Sequence, residues 1–399
     1  MQRVIDLQEE VAAKFPQDHL LDTEILALRD SRKFDVEPAS PLNGYMCSVR
    51  SHGWIGQIPI GDDLLVRVIP KVPVANIFRM LEVAYNLKSF RLFDGEVLVE
   101  SLADVYERIV SILARRVLNR ARKGLYRNYI EQTEELPYLR GQVDVVGAAL
   151  NCALGIPLMP CHYEEHTADI EENRILLWTL HQVHRQALQH DKVRIELDRA
   201  RRTLAGTITL DRHTASDCVN RIYNRLNDDY SPMHGLCRFI LEHTGPGIKP
   251  DTRTFIPFEL YMPQLFESFI AEWLRANEPQ GMTVRCQHHA QLDANFEMKI
   301  RIDILLNDEV TQQPIAVLDT KYKASEHPSE ADIYQIAFYA HELRVNRAFL
   351  VYPSTLASPV QVLHAKDVSI ESLIFNIGTS PDVAGQAFLA QLTKSLASR

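Results

Sequence analysis

Residues 316–323 read AVLDTKYK, an apolar run that ends in alternating charges. Side chains alternate across a strand, so Asp319 and Lys321 share one face, with Cα atoms roughly 6–7 Å apart, while Leu318, Thr320 and Tyr322 take the other. Upstream, MKIRIDILL (298–306) puts Met298, Ile300, Ile302, Ile304 and Leu306 on an apolar face and Lys299, Arg301 and Asp303 on the opposite one. If the two strands pair antiparallel, Asp303 meets Asp319 and Lys321. Two adjacent carboxylates repel, and a cation between them relieves the repulsion. A hard divalent ion suits such oxygen donors: Mg²⁺ takes one or two protein carboxylates and keeps several waters. Water activated by that ion beside Lys321 is a nucleophile suited to phosphodiester cleavage. The competing reading is a surface ion pair on a strand with one wet face.

These strands need elements to hold them. SEADIYQIAFYAHEL (329–343) begins with Ser329 and has Asp332 three residues on, the pattern of a capping box. On the predicted helix Gln335 and Tyr339 share a face. MPQLFESFIAEWLRA (262–276) predicts an amphipathic helix with Leu265, Phe266, Phe269, Ile270, Trp273 and Leu274 apolar and Glu267 at the edge of that stripe. RAFLVYP (347–353) predicts a buried strand.

A helical Glu, then Asp303, then Asp319-Thr320-Lys321, then Gln335 and Tyr339 on a helix resembles the core of PD-(D/E)xK nucleases, with Ile302 where that motif usually has proline. LFESF, VLDTKYK and DIYQIAFYA resemble, more narrowly, the McrC family, the nuclease subunits of McrBC-type restriction systems. VANIFRMLEVAYNL, YLRGQVDV and HTADIEENRILLWTL extend the likeness upstream, so that it spans roughly residues 70–375. The resemblance implies a DNA endonuclease using Mg²⁺ or Mn²⁺, with Asp303 and Asp319 as metal ligands. Lys321 would orient the attacking water or stabilise the phosphorane, and Glu267 would be an additional metal or water ligand. Gln335 and Tyr339 would support the site or contact the DNA backbone. It implies as partners double-stranded DNA and a McrB-like AAA+ GTPase ring that selects and translocates the DNA and whose GTP hydrolysis is stimulated by docking. A stand-alone or differently partnered nuclease, or a non-catalytic activator of the ring, are the alternatives.

The rest of the 399-residue chain bounds these readings. A net charge of −9 gives the whole protein no general attraction to nucleic acid. The six cysteines are scattered without a CxxC pair, and the N-terminus lacks the apolar stretch of a signal peptide, so a cytoplasmic location is expected. No apolar run is long enough for a membrane helix. No GxxxxGK[ST] loop is present, so a GTP-driven machine needs a separate motor. Cys161, His162 and His166, and Cys286, His288 and His289, lack the paired spacing of zinc sites. Residues 106–129 read as a basic helix on which Arg116, Arg120, Lys123 and Arg127 form a stripe. That stripe reads as a phosphate track, a solvated face or a docking face for the partner. GWIGQIPIGDDLLVRVIPKV (53–72) predicts a hairpin, and TGPGIKPDTRTF (244–255), rich in Gly and Pro, predicts a linker. The expected fold class is multidomain α/β (α+β). Its parts are a β-rich extension and docking region over 1–100, a mostly helical middle domain over 101–245, and a PD-(D/E)xK nuclease domain with a mixed central sheet over 246–399.

Overall fold

The computed structural model describes residues 3–61, 64–85, 87, 101–186, 188–243, 258–291, 299–323, 327–365 and 367–397, with backbone alone at 287–291 and 299–300. The expected linker at 244–255 and residues 62–63 of the predicted hairpin lie outside the described residues. The chain forms two compact units: residues 1–105 together with 257–399, and residues 106–256.

The central sheet of the first unit is six-stranded. Its strands are β11 (Met282–Gln291), β12 (Lys299–Asp308), β13 (Pro314–Thr320), β14 (Arg347–Tyr352), β16 (Val368–Ile374) and β15 (Leu363–Ala365), in that spatial order. The pairs β11–β12 and β12–β13 are antiparallel; β13, β14 and β16 are parallel; β15 returns antiparallel to β16. A parallel step needs a crossover. Between β13 and β14 it is supplied by α9 (Glu330–Glu342), which buries Ile336 and Ala340 against the sheet. Ser329 caps α9 as its sequence predicts: Asp332 N–H donates to Ser329 Oγ at 3.3 Å, and Ser329 N–H donates to Asp332 Oδ2 at 3.2 Å. α8 (Met262–Ala276) buries Leu265, Phe266, Phe269, Ile270, Trp273 and Leu274, the stripe read from its spacing. Trp273 meets Phe375 and Phe388 edge-on at 5.3 and 6.2 Å, closing an aromatic core with α10 (Pro381–Ala397).

Residues 3–85 share this unit. β1 (Arg3–Gln8), β6 (Leu64–Ile69), β5 (Trp54–Ile60) and β10 (Phe258–Tyr261) form a second sheet in that order. The predicted hairpin is therefore present as β5 and β6, antiparallel. Its other neighbour β10 comes from two hundred residues downstream. Gly56 makes that approach possible: its φ is +109°, and a Cβ there would lie 2.2 Å from the Phe258 carbonyl oxygen. Lys33 Nζ, 2.5 Å from Glu259, clamps the same junction. From α2 (Val74–Ala84), Asn76 Nδ2 donates to the carbonyls of Ile377 and Thr379 at 2.8 and 3.2 Å. The sequence reading of three consecutive domains thus meets a different grouping. Periodicity marks the elements of 1–100 but carries no sign that their sheet is completed by β10. A small sheet of β2 (Ala13–Pro16), β4 (Met46–Ser51) and β3 (Phe34–Glu37), with α1 (Asp22–Asp30), completes the N-terminal region.

The second unit holds most of α3 (Leu102–Lys123), a sheet of β7 (Asn128–Leu136), β9 (Met159–Thr167) and β8 (Gln142–Val143), and α4 (Val145–Ala153). The helices α5 (Glu171–His184), α6 (Asp191–Ala205) and α7 (Tyr230–His243) belong to the same unit. The basic helix read over 106–129 stops at Lys123. Gly124 follows with φ +96°, and Asn128 already opens β7, so Arg127 lies outside the helix.

Candidate active site

The site is built at the carboxyl end of β13, where the sheet changes from antiparallel to parallel. The β12–β13 register, with Ile304 opposite Leu318, makes the pair antiparallel, the condition for Asp303 to meet Asp319. Asp303 Oδ2 accepts from both the Thr320 amide and the Thr320 hydroxyl, each at 2.9 Å, which fixes the carboxylate beside the strand end. Asp319 is buried, 3% exposed. Lys321 Nζ lies 2.6 Å from Asp319 Oδ2, a close ion pair. Lys321 also donates to Gln335 Oε1 at 2.9 Å, and Gln335 Nε2 donates to the Tyr339 hydroxyl at 2.8 Å. The structure therefore brings together Asp303, Asp319, Lys321, Gln335 and Tyr339.

Burial and, after it, the neighbouring Asp303 charge push the Asp319 carboxyl up to about 6, against the pull of Lys321. Burial alone would lower the Lys321 ammonium, yet Asp319, followed by Asp332 and Asp303, holds it above its ordinary value, so it stays charged at neutral pH.

Glu267 is placed differently. Its carboxylate is paired with Arg301 from β12. Among the described residues no group of three or more His, Cys, Asp or Glu side chains converges to hold a metal. The fit for a metal is therefore that of two carboxylates. Asp319 presents a buried carboxylate, paired with Lys321 on one oxygen and beside Asp303, and burial followed by the Asp303 charge raises its pKa. A hard divalent ion that keeps most of its waters fits that donor set.

Three further groups were not singled out for the site by sequence. Asp332, read as a cap, is also an acid facing the lysines: its Oδ1 lies 3.8 Å from Lys321 Nζ, and its Oδ2 is paired with Lys323. Burial would raise its carboxyl, but the bonds from Lys323 and Ser329 bring it below the usual value. Lys323, two residues beyond Lys321, is that partner. The Tyr352 hydroxyl at the end of β14 is buried with no hydrogen-bond partner among the described residues, and burial, then Asp332 and Asp319, raise its pKa. The capping spacing of Asp332 was the one signal in sequence; nothing local points to Tyr352.

The basic stripe divides on folding. Arg120 turns inward, donating to the Leu226 carbonyl at 3.1 Å, lying 3.4 Å from Asp229 and stacking over the Tyr230 ring at 5.2 Å. Arg116 is partly buried, and desolvation lowers its pKa. Lys123 and Arg127 are exposed.

Fold and site together define a mixed α/β multidomain protein with a carboxylate–lysine centre at the edge of a parallel step in its sheet. The chain belongs to the family described as McrBC 5-methylcytosine restriction system component, whose model matches residues 49–353. It is 22% identical over 306 residues to the type IV methyl-directed restriction enzyme EcoKMcrBC of Escherichia coli K12, covering 71% of this chain and 86% of that protein. Its fold is similar, with a TM-score of 0.58 and 18% identity, to a chain in the half-complex of Thermococcus gammatolerans McrB AAA+ hexamers with bound McrC. That match covers 98% of this chain and 100% of the other. The McrC-family resemblance read from the sequence is borne out. Among the described residues no helix is long and apolar enough to cross a membrane.

Proposed function

We propose that this chain is the DNA-cleaving subunit of a two-component restriction system, with a PD-(D/E)xK site made by Asp303, Asp319 and Lys321. The observation that carries the reading is the convergence of these three on the end of β13, with Asp319 buried and its pKa raised by burial and then by Asp303. A sheet pays for a buried carboxylate beside a second one when that pair binds a cation or does chemistry.

Asp303 and Asp319 would hold Mg²⁺ or Mn²⁺, which when bound supplies positive charge to polarise the phosphodiester and its attacking water. Thr320 keeps Asp303 from turning away. Lys321, held charged by Asp319, orients the attacking water and offsets the negative charge that develops on the phosphate oxygens as the P–O bond breaks. Gln335 and Tyr339 tie the lysine to α9 and present polar atoms to the DNA backbone. Glu267, in this reading, serves to hold Arg301, with which it is paired.

The partner follows from family and surface. In the second unit Leu139, Val145, Val146 and Leu154 are all well exposed within one short segment around α4. Exposed apolar clusters of this kind mark protein contacts. An AAA+ GTPase ring is the partner proposed for them, with Lys123 and Arg127 as neighbouring contacts to the ring or to DNA. The test is cleavage of double-stranded DNA by the chain with its ring partner and GTP. Cleavage should require Mg²⁺ or Mn²⁺ and stop with EDTA. Cleavage undiminished by EDTA overturns the metal assignment, and no cleavage under any condition favours the non-catalytic activator.

A further inference from the structure

Glu9 follows β1 and is buried, 1% exposed. Its Oε1 accepts the Tyr322 hydroxyl at 2.7 Å, and its Oε2 accepts the Lys71 backbone amide at 2.9 Å. Lys71 then folds back, with Nζ 4.4 Å from the centre of the Tyr322 ring and 2.5 Å from Glu10. On α8, Phe266 packs 5.8 Å from the same ring. Tyr322 is thus gripped from the ends of β1 and β6 and from α8. It directly follows Lys321, where β13 has already ended at Thr320 and the pairing continues as Lys321 N–H donating to the Val351 carbonyl at 2.8 Å.

A buried carboxylate is an expensive way to fill this space, since an apolar side chain would fill it at no desolvation cost. Its two bonds run to groups that fix backbone: the Lys71 amide on its own sheet and the residue after the lysine on the other. We propose that Glu9 is a positioning residue which, through the Tyr322 hydroxyl, fixes the backbone that carries Lys321 toward Asp319. The turn that ends the first strand would then be a working part of the nuclease site, and the N-terminal region more than a docking extension. The catalytic consequence rests on the function proposed above; the backbone consequence does not.

The experiment uses the full chain as wild type, Tyr322→Phe, Glu9→Ala and Glu9→Gln, with Phe388→Leu as a control that thins the core at α10. Hydrogen exchange of the Lys321 amide should quicken about tenfold in Tyr322→Phe and Glu9→Ala, as for loss of one hydrogen bond, with the amides of Val317 and Leu350 unchanged. Glu9→Gln should be intermediate, because the two donors bond different carboxylate oxygens and the amide replaces one of these by a donor NH2. In the complex with ring and GTP, maximal cleavage rate should fall by a similar factor at unchanged KM for DNA, while Phe388→Leu lowers thermal stability without either effect. Unchanged Lys321 exchange in Tyr322→Phe overturns the proposal, as does a uniform increase over the sheet or an equal rate loss in Phe388→Leu. If the wild type cuts no DNA, the nuclease reading fails, and the exchange data alone decide the positioning.

Discussion

Replacing Asp319 by asparagine should stabilise the metal-free protein while removing its chemistry. The carboxyl is 3% exposed, and burial followed by the Asp303 charge raises its pKa from 3.8 to about 6. A carboxyl with a higher pKa in the folded than in the unfolded chain holds its proton more tightly when folded. Stability therefore falls as pH rises from about 4 to about 6, and the full cost is present above that window. At about 1.4 kcal/mol per pH unit, the rise corresponds to a cost of about 3 kcal/mol. The attraction of Lys321 is already contained in the raised value. After Asp319→Asn the lysine keeps Gln335 at 2.9 Å and Asp332 at 3.8 Å. The variant carries a neutral amide at every pH and lacks this slope. Urea unfolding in EDTA, followed by tryptophan fluorescence between about pH 4.5 and 8, should show the variant more stable at pH 7.5 and the two proteins converging toward acid. Mg²⁺ should raise the wild type's midpoint, since it binds the folded state, and leave the variant's unchanged. A variant less stable than wild type at pH 7.5, or one with the wild-type slope between pH 4.5 and 6, would refute the reasoning.

Gly56→Ala should lower stability by more than about 2 kcal/mol, because it forces a side chain into a positive-φ position and against the Phe258 carbonyl; denaturant unfolding measures it, and limited proteolysis should show residues 258–261 released. Arg120→Ala should destabilise by about 1–2 kcal/mol through loss of the Leu226 bond and the Asp229 pair, with DNA affinity of the isolated chain unchanged. An equilibrium binding titration that instead shows weakened DNA binding would restore Arg120 to a phosphate track.

The parts of the site that sequence made legible are those carried by short-range rules. Alternation along 298–306 and 315–323 put Asp303, Asp319 and Lys321 on facing sides of two strands, and the β12–β13 register brings them together. The spacing of Leu265, Phe266, Phe269 and Ile270 fixed the buried face of α8, and Ser329 with Asp332 marked the start of α9. What stayed hidden depends on partners far away in the chain. Glu9 and Tyr322 are 313 residues apart, and nothing in either segment names the other. β10 joins β5 across a similar gulf, so the N-terminal region read as separate. Arg120 looked like one of a stripe of solvated cations because helical spacing gives the face, whereas Asp229 and Tyr230, which turn it inward, come from the turn before another helix and from that helix's first residue. Asp332 was misjudged for a different reason: one carboxylate performs two tasks, and the local one masked the other. Arg301, which pairs with Glu267, was read as one more charge on the wet face of its strand.

The central claim is that Asp303, Asp319 and Lys321 cut DNA in a chain that docks on a GTPase ring. Its most direct test is the single-turnover rate of double-stranded DNA cleavage by the assembled complex in Mg²⁺ and GTP, for wild type, Asp319→Asn and Lys321→Ala, with the ring's GTP hydrolysis measured in the same samples. The account predicts at least about a hundredfold loss of cleavage in each variant, with GTP hydrolysis stimulated as strongly as by wild type. Cleavage by either variant at the wild-type rate would contradict it.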